Sequence, residues 1–267
     1  MPRRKGAPRK TAGEPGAEPR KGSAGGAYWV FGQHAVRAVL GNAERRIRRL
    51  VATSEAAQHL AEMASARVPV EAVERRAIES HLPSGAVHQG MAALVEPMPE
   101  CTIDQIGARP GPKIVVVLDR VTDPHNVGAI LRSSAAFGAA AVVVTERHAA
   151  PATGTLAKAA SGALELVPLV RVVNLAQALL DLKDHGFWCI GLDAAAPEAL
   201  SPAGLGENVA LVLGAEGEGL RRLTRERCDS LARLTLAPGA SGFSSLNVSN
   251  AAAIALHIAA QRPAAKG

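Results

Sequence analysis

The sequence predicts an α/β protein: a small module followed by a larger one with a mainly parallel sheet. Three observations predict this. Strand-like and helix-like patterns alternate along most of the chain, as they do in layered α/β folds. The runs 114–118, 141–145 and 208–213 are almost continuously apolar, as strands buried on both faces are. The first and last of these runs stop abruptly, at Asp119 and at Gly214, in turn-rich segments. Open α/β sheets place their ligands outside such carboxyl ends.

In chain order, residues 1–27 form a basic tail. Residues 1–22 hold seven Lys or Arg against Glu14 and Glu18, a net +5 out of +6 for the whole chain. With Pro and Gly throughout and few large apolar side chains, the tail should be disordered. It fits phosphate contact or a solubilising leader. Residues 28–96 form the small module. Helices are expected near 32–40, 54–66 (with Ser54 as N-cap) and 74–82, and strands at 47–52, 68–73 and 91–95. Arg45, Arg46, Arg48 and Arg49 cluster at the start of its first expected strand. They could hold RNA or simply form a solvated edge that discourages strand pairing.

Residues 97–112 carry Pro97, Pro99, Pro110 and Pro112 with Gly107 and Gly111, which reads as a linker. The larger domain, 113–267, then begins. After its first strand the turn 122–125 leads to Asn126 and a helix whose apolar stripe includes Val127, Ile130 and Leu131. Arg132 falls opposite that stripe. Asn126 is either an N-cap or a ligand group, and Arg132 either solvated surface or a functional cation. A helix near 155–160 and a strand over 164–170 follow. The helix 175–185 is closed by Gly186, and the strands 187–192 and 208–213 come next. A charged helix is expected at 220–229, a strand at 233–236, and a last helix from near Asn247.

Composition excludes several functions. One Tyr, two Trp and four Phe in 267 residues cannot supply aromatic platforms for stacked bases. Cys101, Cys189 and Cys228 are odd in number and far apart, so neither a disulfide framework nor a metal site is expected. No apolar run is long enough to span a membrane and no signal peptide is evident, so a cytoplasmic protein is the expectation. The loop Gly214-Ala215-Glu216-Gly217-Glu218-Gly219 follows a strand and precedes a helix. Its glycines are in the wrong order for a dinucleotide fingerprint, and Glu216 and Glu218 would repel a pyrophosphate. Carboxylates there suit a cationic or hydroxyl-bearing ligand.

Three stretches together resemble the motifs of one family. These are Asn126 with Arg132 six residues on, Leu213 to Gly219, and Ser245-Leu246-Asn247-Val248-Ser249. In this order, each between a strand and a helix, they closely resemble the SpoU, or TrmH-like, 2'-O-ribose RNA methyltransferases. The segments FGQHAV (31–36) and GAVHQG (85–90) look like the substrate-binding domain of the bacterial branch that methylates guanosine of 23S rRNA.

The resemblance implies a C-terminal α/β domain with a trefoil knot, a ribosomal-protein-like N-terminal module that binds RNA, S-adenosylmethionine as cofactor, and a homodimer without metal. It implies that Asn126, Arg132, Glu216, Ser245 and Asn247 serve catalysis, and that Leu213, Gly214, Leu234 and Leu246 contact the cofactor. One departure stands out. The family's Ile-Pro-Met and short glycine loop are here Leu234-Thr235-Leu236 and a longer loop through Pro238, Gly239 and Gly242. Ribosomal RNA is the favoured substrate and tRNA the alternative. A non-catalytic RNA-binding assembly protein is the competing reading from another class, and the intact Asn126, Arg132, Glu216 and Asn247 argue against it. Arginine, titrating above about 12, is a poor base and a good partner for phosphate or a developing alkoxide.

Overall fold

A computed structural model describes residues 26–64, 68–148, 154–237 and 246–263. Residues 1–25 of the basic tail, Ser245 and most of the loop that precedes it lie outside the described residues.

The first module is a four-stranded sheet. Its strands are β1 (Tyr28–Phe31), β2 (Ile47–Ala52), β3 (Val70–Ala72) and β4 (Met91–Val95), in spatial order β1-β4-β2-β3. β4 is antiparallel to both β1 and β2, whereas β2 and β3 run parallel. Helix α1 (Gln33–Gly41) and helix α2 (Ser54–Ala64) bury Val36, Val39, Leu40 and Leu60 against one face. Ser54 is the first helical residue rather than the cap. Helix α3 (Arg75–Glu79) is shorter than its pattern suggests, with Ile78 buried on the opposite face.

The segment 97–112 is not featureless. Thr102 and Gln105 form a reciprocal capping box that opens helix α4 (Ile103–Gly107). This satisfies two backbone donors that a short helix would otherwise leave bare. Ile103 and Ile106 are buried in the core of the second module.

The second module is a six-stranded, wholly parallel sheet. Its elements are β5 (Ile114–Asp119), α5 (Pro124–Ala136), β6 (Ala141–Thr145), α6 (Gly154–Ala160), β7 (Leu169–Val172), α7 (Leu175–Asp184), β8 (Trp188–Leu192), β9 (Val209–Gly214), α8 (Arg222–Arg227), β10 (Ser230–Ala232) and α9 (Val248–Ala260). The spatial order is β10-β8-β9-β5-β6-β7. Side chains alternate between two cores. Val116 and Leu118 face the core formed with α5, α6 and α9, and Val115 and Val117 face the one formed with α4 and α7. Each such side chain stabilises the fold by roughly 1.5–3 kcal/mol of hydrophobic transfer. Cys189 and Cys228 are free thiols in this second core, and burial pushes both up to about 12.

Two expected strands are displaced. Residues 164–168 do not extend: Gly162, at φ 93°, starts a 3-10 turn over Ala163–Glu165, and the strand begins only after Pro168, which has no N–H to give a ladder. The edge strand β10 covers Ser230–Ala232, ahead of the expected 233–236, because its register is set by β8. Arg233 makes one further bridge to Ala199, and Leu236 is exposed. The charged helix is trimmed to Arg222–Arg227 because Arg221 is held elsewhere, as described below.

The side on which strands are added reverses between β5 and β9. From β5 the chain adds β6 and β7 on one side, and later strands fill the other. Leu118 pairs with Leu213 and Asp119 with Gly214, so the two carboxyl ends lie side by side. This is the switch point at which open sheets bind ligands.

Candidate active site at the switch point

Each side of this crevice is built locally. Asp119 ends β5 fully buried, which requires a partner. Arg221 supplies it, donating through its backbone N at 3.0 Å and through Nε at 2.6 Å. The loop after β9 is thereby fastened to the end of β5. Helix α5 begins with Asp123 as N-cap, accepting from the His125 N–H, and with Pro124 in the first turn. Asn126 is therefore not the cap, and its side chain is left for another purpose.

On the other side the chain folds back on itself directly after β9. The Gly219 N–H donates to the Ala215 carbonyl at 2.9 Å. A Cβ on Gly214 would stand 2.1 Å from the Gly219 carbonyl carbon, so only glycine fits there. The turn projects Glu216 over the start of α9. Asn247 caps α9, accepting from the Ser249 N–H at 2.9 Å and from the Ser249 hydroxyl at 2.5 Å.

The three segments meet in one hydrogen-bonded cluster. Asn126 Nδ2 donates to Glu216 Oε1 at 3.1 Å, and Asn247 Nδ2 donates to Asn126 Oδ1 at 3.1 Å and to Glu216 Oε1 at 2.7 Å. The Val248 N–H adds a further bond to Glu216 Oε1 at 3.2 Å. A carboxylate at the amino end of a 13-residue helix is also favoured by the helix dipole. With Oε1 accepting three bonds, Oε2 remains to accept from a ligand hydroxyl.

Arg132 is not part of this cluster. It is exposed on α5 and makes no ion pair with another described residue. Six residues beyond Asn126 it lies about 9 Å further along the axis and about 240° round it. Leu213 is buried and Gly214 half-buried at the end of β9, Leu234 packs on the same core as Leu213, and Leu246 directly precedes Asn247. Ser245 lies outside the described residues.

Sequence reasoning missed Arg221, although a lone Asp at the end of an apolar run is itself a request for a buried cation. It also missed Arg120, which sits at φ 60° at the mouth of the crevice with its guanidinium 3.7 Å from Glu218.

The arginine cluster of the first module divides. Arg45 is buried against Glu165, Arg49 pairs with Glu71, and Arg48 pairs with Glu96. Arg46 is 84% exposed and only 3.8 Å from Glu96. Burial alone would lower the Arg45 pKa, but the hydrogen bonds and charge of Glu165 hold it above the ordinary arginine value.

Among the described residues no cluster of His, Cys, Asp or Glu could hold a metal ion, and no helix is long and apolar enough to cross a membrane. The crevice fits a cationic sulfonium cofactor in one respect: Glu216 and Glu218 give it negative charge.

Comparison with known proteins gives a consistent picture. Residues 113–257 match the model of the SpoU rRNA Methylase family, and residues 29–100 match that of RNA 2'-O ribose methyltransferase substrate binding. The chain is 42% identical over 236 residues to the 23S rRNA (guanosine-2'-O-)-methyltransferase RlmB of Vibrio vulnificus, covering 85% of this chain and 94% of that one. It is 40% identical to the Vibrio parahaemolyticus protein of the same name, covering 89% and 98%. Among solved structures it resembles the SpoU methyltransferase AviRb from Streptomyces viridochromogenes, with TM-score 0.74 and 25% identity over 88% of this chain and 89% of that one. AviRb has also been solved in complex with AdoMet.

Proposed function

The chain belongs to the SpoU rRNA methylase family, and on that premise we propose that it methylates the ribose 2'-hydroxyl of a guanosine in 23S rRNA. S-adenosylmethionine is the methyl donor. The observation that carries this reading is the cluster of Asn126, Glu216 and Asn247. It joins residues 90 and 121 positions apart at the adjacent ends of β5 and β9.

The cofactor supplies a methyl group on a sulfonium, a neutral leaving group that needs no acid. The chain's own residues have a different task, which is to orient one hydroxyl and receive its proton. Glu216 Oε2 would accept a hydrogen bond from the ribose 2'-hydroxyl and then its proton as that oxygen takes the methyl group from sulfur, because Oε1 is engaged by Asn126, Asn247 and the Val248 N–H. Fixing the carboxylate removes motions that would misalign the attacking oxygen, and good alignment lowers a barrier by up to about 7–11 kcal/mol. The backbone at Leu213 and Gly214, with Leu234 and Leu246, would hold the cofactor. Arg132 would pair with a phosphate or the developing alkoxide, as preorganised cations do. Its position around α5 from Asn126 fits delivery from the second subunit of a homodimer, which we include in the proposal. Ser245 is assigned to the same site. Residues 28–96 would bind the RNA, in the cytoplasm where ribosomal RNA is modified.

The test is transfer of labelled methyl groups to RNA, followed by mapping of ribose methylation in rRNA and tRNA from cells with and without the gene. Loss of one guanosine methylation in 23S rRNA is expected. A lost mark in tRNA instead would give the reading to a tRNA enzyme of the same fold.

A further inference from the structure

The two modules are not beads on a string. Helix α6 and the turn after it belong to both. Leu156 and Ala160 lie in the core of the second module, while Ala157 lies in the core of the first. Leu164 packs on both. Three glycines permit the approach. A Cβ on Gly154 would stand 2.4 Å from the Trp29 carbonyl oxygen, and one on Gly162 would stand 2.6 Å from the Ala38 Cβ. On the other side of α6, a Cβ on Gly128 of α5 would stand 2.4 Å from the Ala159 Cβ.

Polar contacts fasten this junction. Glu165 receives Arg45 Nε at 3.0 Å and Nη2 at 2.5 Å, and Asn42 Nδ2 at 2.9 Å. Arg45 Nη1 donates to the Glu96 carbonyl at 2.8 Å, and its guanidinium stands 5.9 Å from the Tyr28 ring centroid. The Arg45 and Glu165 side chains are 1% and 4% exposed. A second fastening lies nearer the solvent: Lys158 Nζ donates to the Val87 carbonyl at 2.8 Å. Val87 is in the loop 85–90, whose Gln89 side chain accepts from the Gln33 N–H at the start of α1.

We propose that segment 154–165 is a rigid strut through which the N-terminal module positions α5, the helix carrying Asn126, with Arg45 and Glu165 as positioning residues. This rests on the reading that residues 28–96 hold the RNA. The path is contiguous: module, α6, Gly128, α5, Asn126. A module on a loose tether would hold RNA equally tightly but present its ribose in many places. A docked module presents it in one. Displacements of about 1 Å can cost about a hundredfold in rate. Undocking must therefore appear in the rate at saturating substrates, not in either affinity.

The experiment uses the full chain and its Glu165→Gln and Lys158→Met variants. Glu165→Gln keeps the volume but removes the charge. Lys158→Met keeps the stem and removes the donor at a site where folding is not at stake. Three properties are measured: amide hydrogen exchange, affinity for a 23S rRNA fragment and for S-adenosylmethionine, and single-turnover rate with both saturating. For Glu165→Gln, faster exchange is expected in α6 and α5 but not in β8 or β9. A rate loss of about tenfold or more should accompany affinities unchanged within about threefold. Lys158→Met should show the same pattern at about threefold.

Exchange in α5 that stays unchanged, or an unchanged saturated rate once α6 is loosened, overturns the strut. So does exchange in α6 of the unsubstituted chain as fast as in an exposed loop. If Glu165→Gln loosens β8 and β9 as well, it is unfolding, and Lys158→Met decides by the same readouts. A chain that transfers no methyl to any RNA overturns the proposed function, while the exchange pattern still decides whether the modules move as one body.

Discussion

The two modules treat their polar side chains in opposite ways. In the second, polar residues far apart in sequence converge. Asn126, Glu216 and Asn247 come from three segments and bond one another at the ends of two adjacent strands. In the first, a polar cluster in sequence disperses. Of four arginines within five residues, three are taken up by Glu165, Glu71 and Glu96. Proximity along the chain is thus a poor guide to a site, whereas position at a strand's carboxyl end is a good one. A parallel sheet sends every such end to one edge, and all strands of the second module run parallel.

The largest effect should come from breaking the convergence itself. Glu216→Ala removes the acceptor of three bonds and the oxygen assigned to the ribose. Single-turnover methylation should fall by about a thousandfold, at the upper end for loss of one preorganised group. Urea unfolding should show a loss of only about 1 kcal/mol, that of a helix-capping interaction. A stability loss several times larger with normal turnover would mean the cluster is scaffolding.

Arg132 tests whether the site is complete in one chain. Arg132→Ala should lower single-turnover methylation by about a hundredfold. If the planar fork matters, Arg132→Lys should match it at every pH from about 7 to 10, because a lysine cannot reproduce that geometry. A lysine profile that rises with pH, well above the alanine variant, would instead make this residue the proton acceptor. Mixing Arg132→Ala chains with Asn247→Ala chains should restore activity if the arginine is delivered across a dimer. No restoration would place it in its own subunit's site.

What could be read from sequence follows the same division. The buried strands β5, β6 and β9 were legible because parallel strands covered on both faces are apolar throughout. Asn126 was visible as a polar residue at a helix mouth, but whether it served as cap or as ligand group was not: Asp123 is the cap, since Pro124 fits the first turn. The displaced strands at 164–170 and 233–236 fail for a local reason. Leu164 lies in a 3-10 turn and Leu234 just past an isolated bridge, and both pack inward without belonging to a strand, which a short apolar stretch does not reveal. The helix α4 was hidden by the prolines around it. The partners of the four arginines were illegible because Glu71, Glu96 and Glu165 lie about 20 to 120 residues away, a separation that only the fold closes.

The fastening of the Glu216 loop to β5 should have a middling effect. Arg221→Ala leaves Asp119 buried with only the backbone N–H as partner. Breaking a buried pair in this way costs up to about 3–5 kcal/mol, and the remaining bond and the partial exposure of Arg221 should bring it to about 2 kcal/mol. Calorimetric unfolding measures it. Because the loop carries Glu216, turnover should drop as well, whereas Asp119→Asn/Arg221→Ala together should recover part of the stability.

The smallest effect sharpens the comparison most directly, because it asks whether pairing silences the arginines of the first module. Arg48 donates twice to Glu96 Oε1 at 3.0 Å, while Arg46 stands 3.8 Å from Oε2 and is nearly free. Exposed pairs of this kind contribute at most about 1 kcal/mol, so a phosphate can compete for them. Removing the carboxylate should then strengthen RNA binding. Glu96→Gln frees both guanidinium groups while leaving the Glu96 carbonyl to Arg45. We expect RNA affinity to rise about two- to threefold and the dependence of log K on log salt to steepen by up to about 0.9, one additional phosphate contact. Arg46→Ala should flatten that slope by a similar amount. Arg48→Ala should do less, since its loss also leaves Glu96 to draw Arg46 away. Filter binding over a range of salt concentrations distinguishes the three. Unchanged slopes in all of them would show that these arginines never meet RNA; the solvated-edge reading fails too, since β2 is paired with β3 and β4 on its two sides.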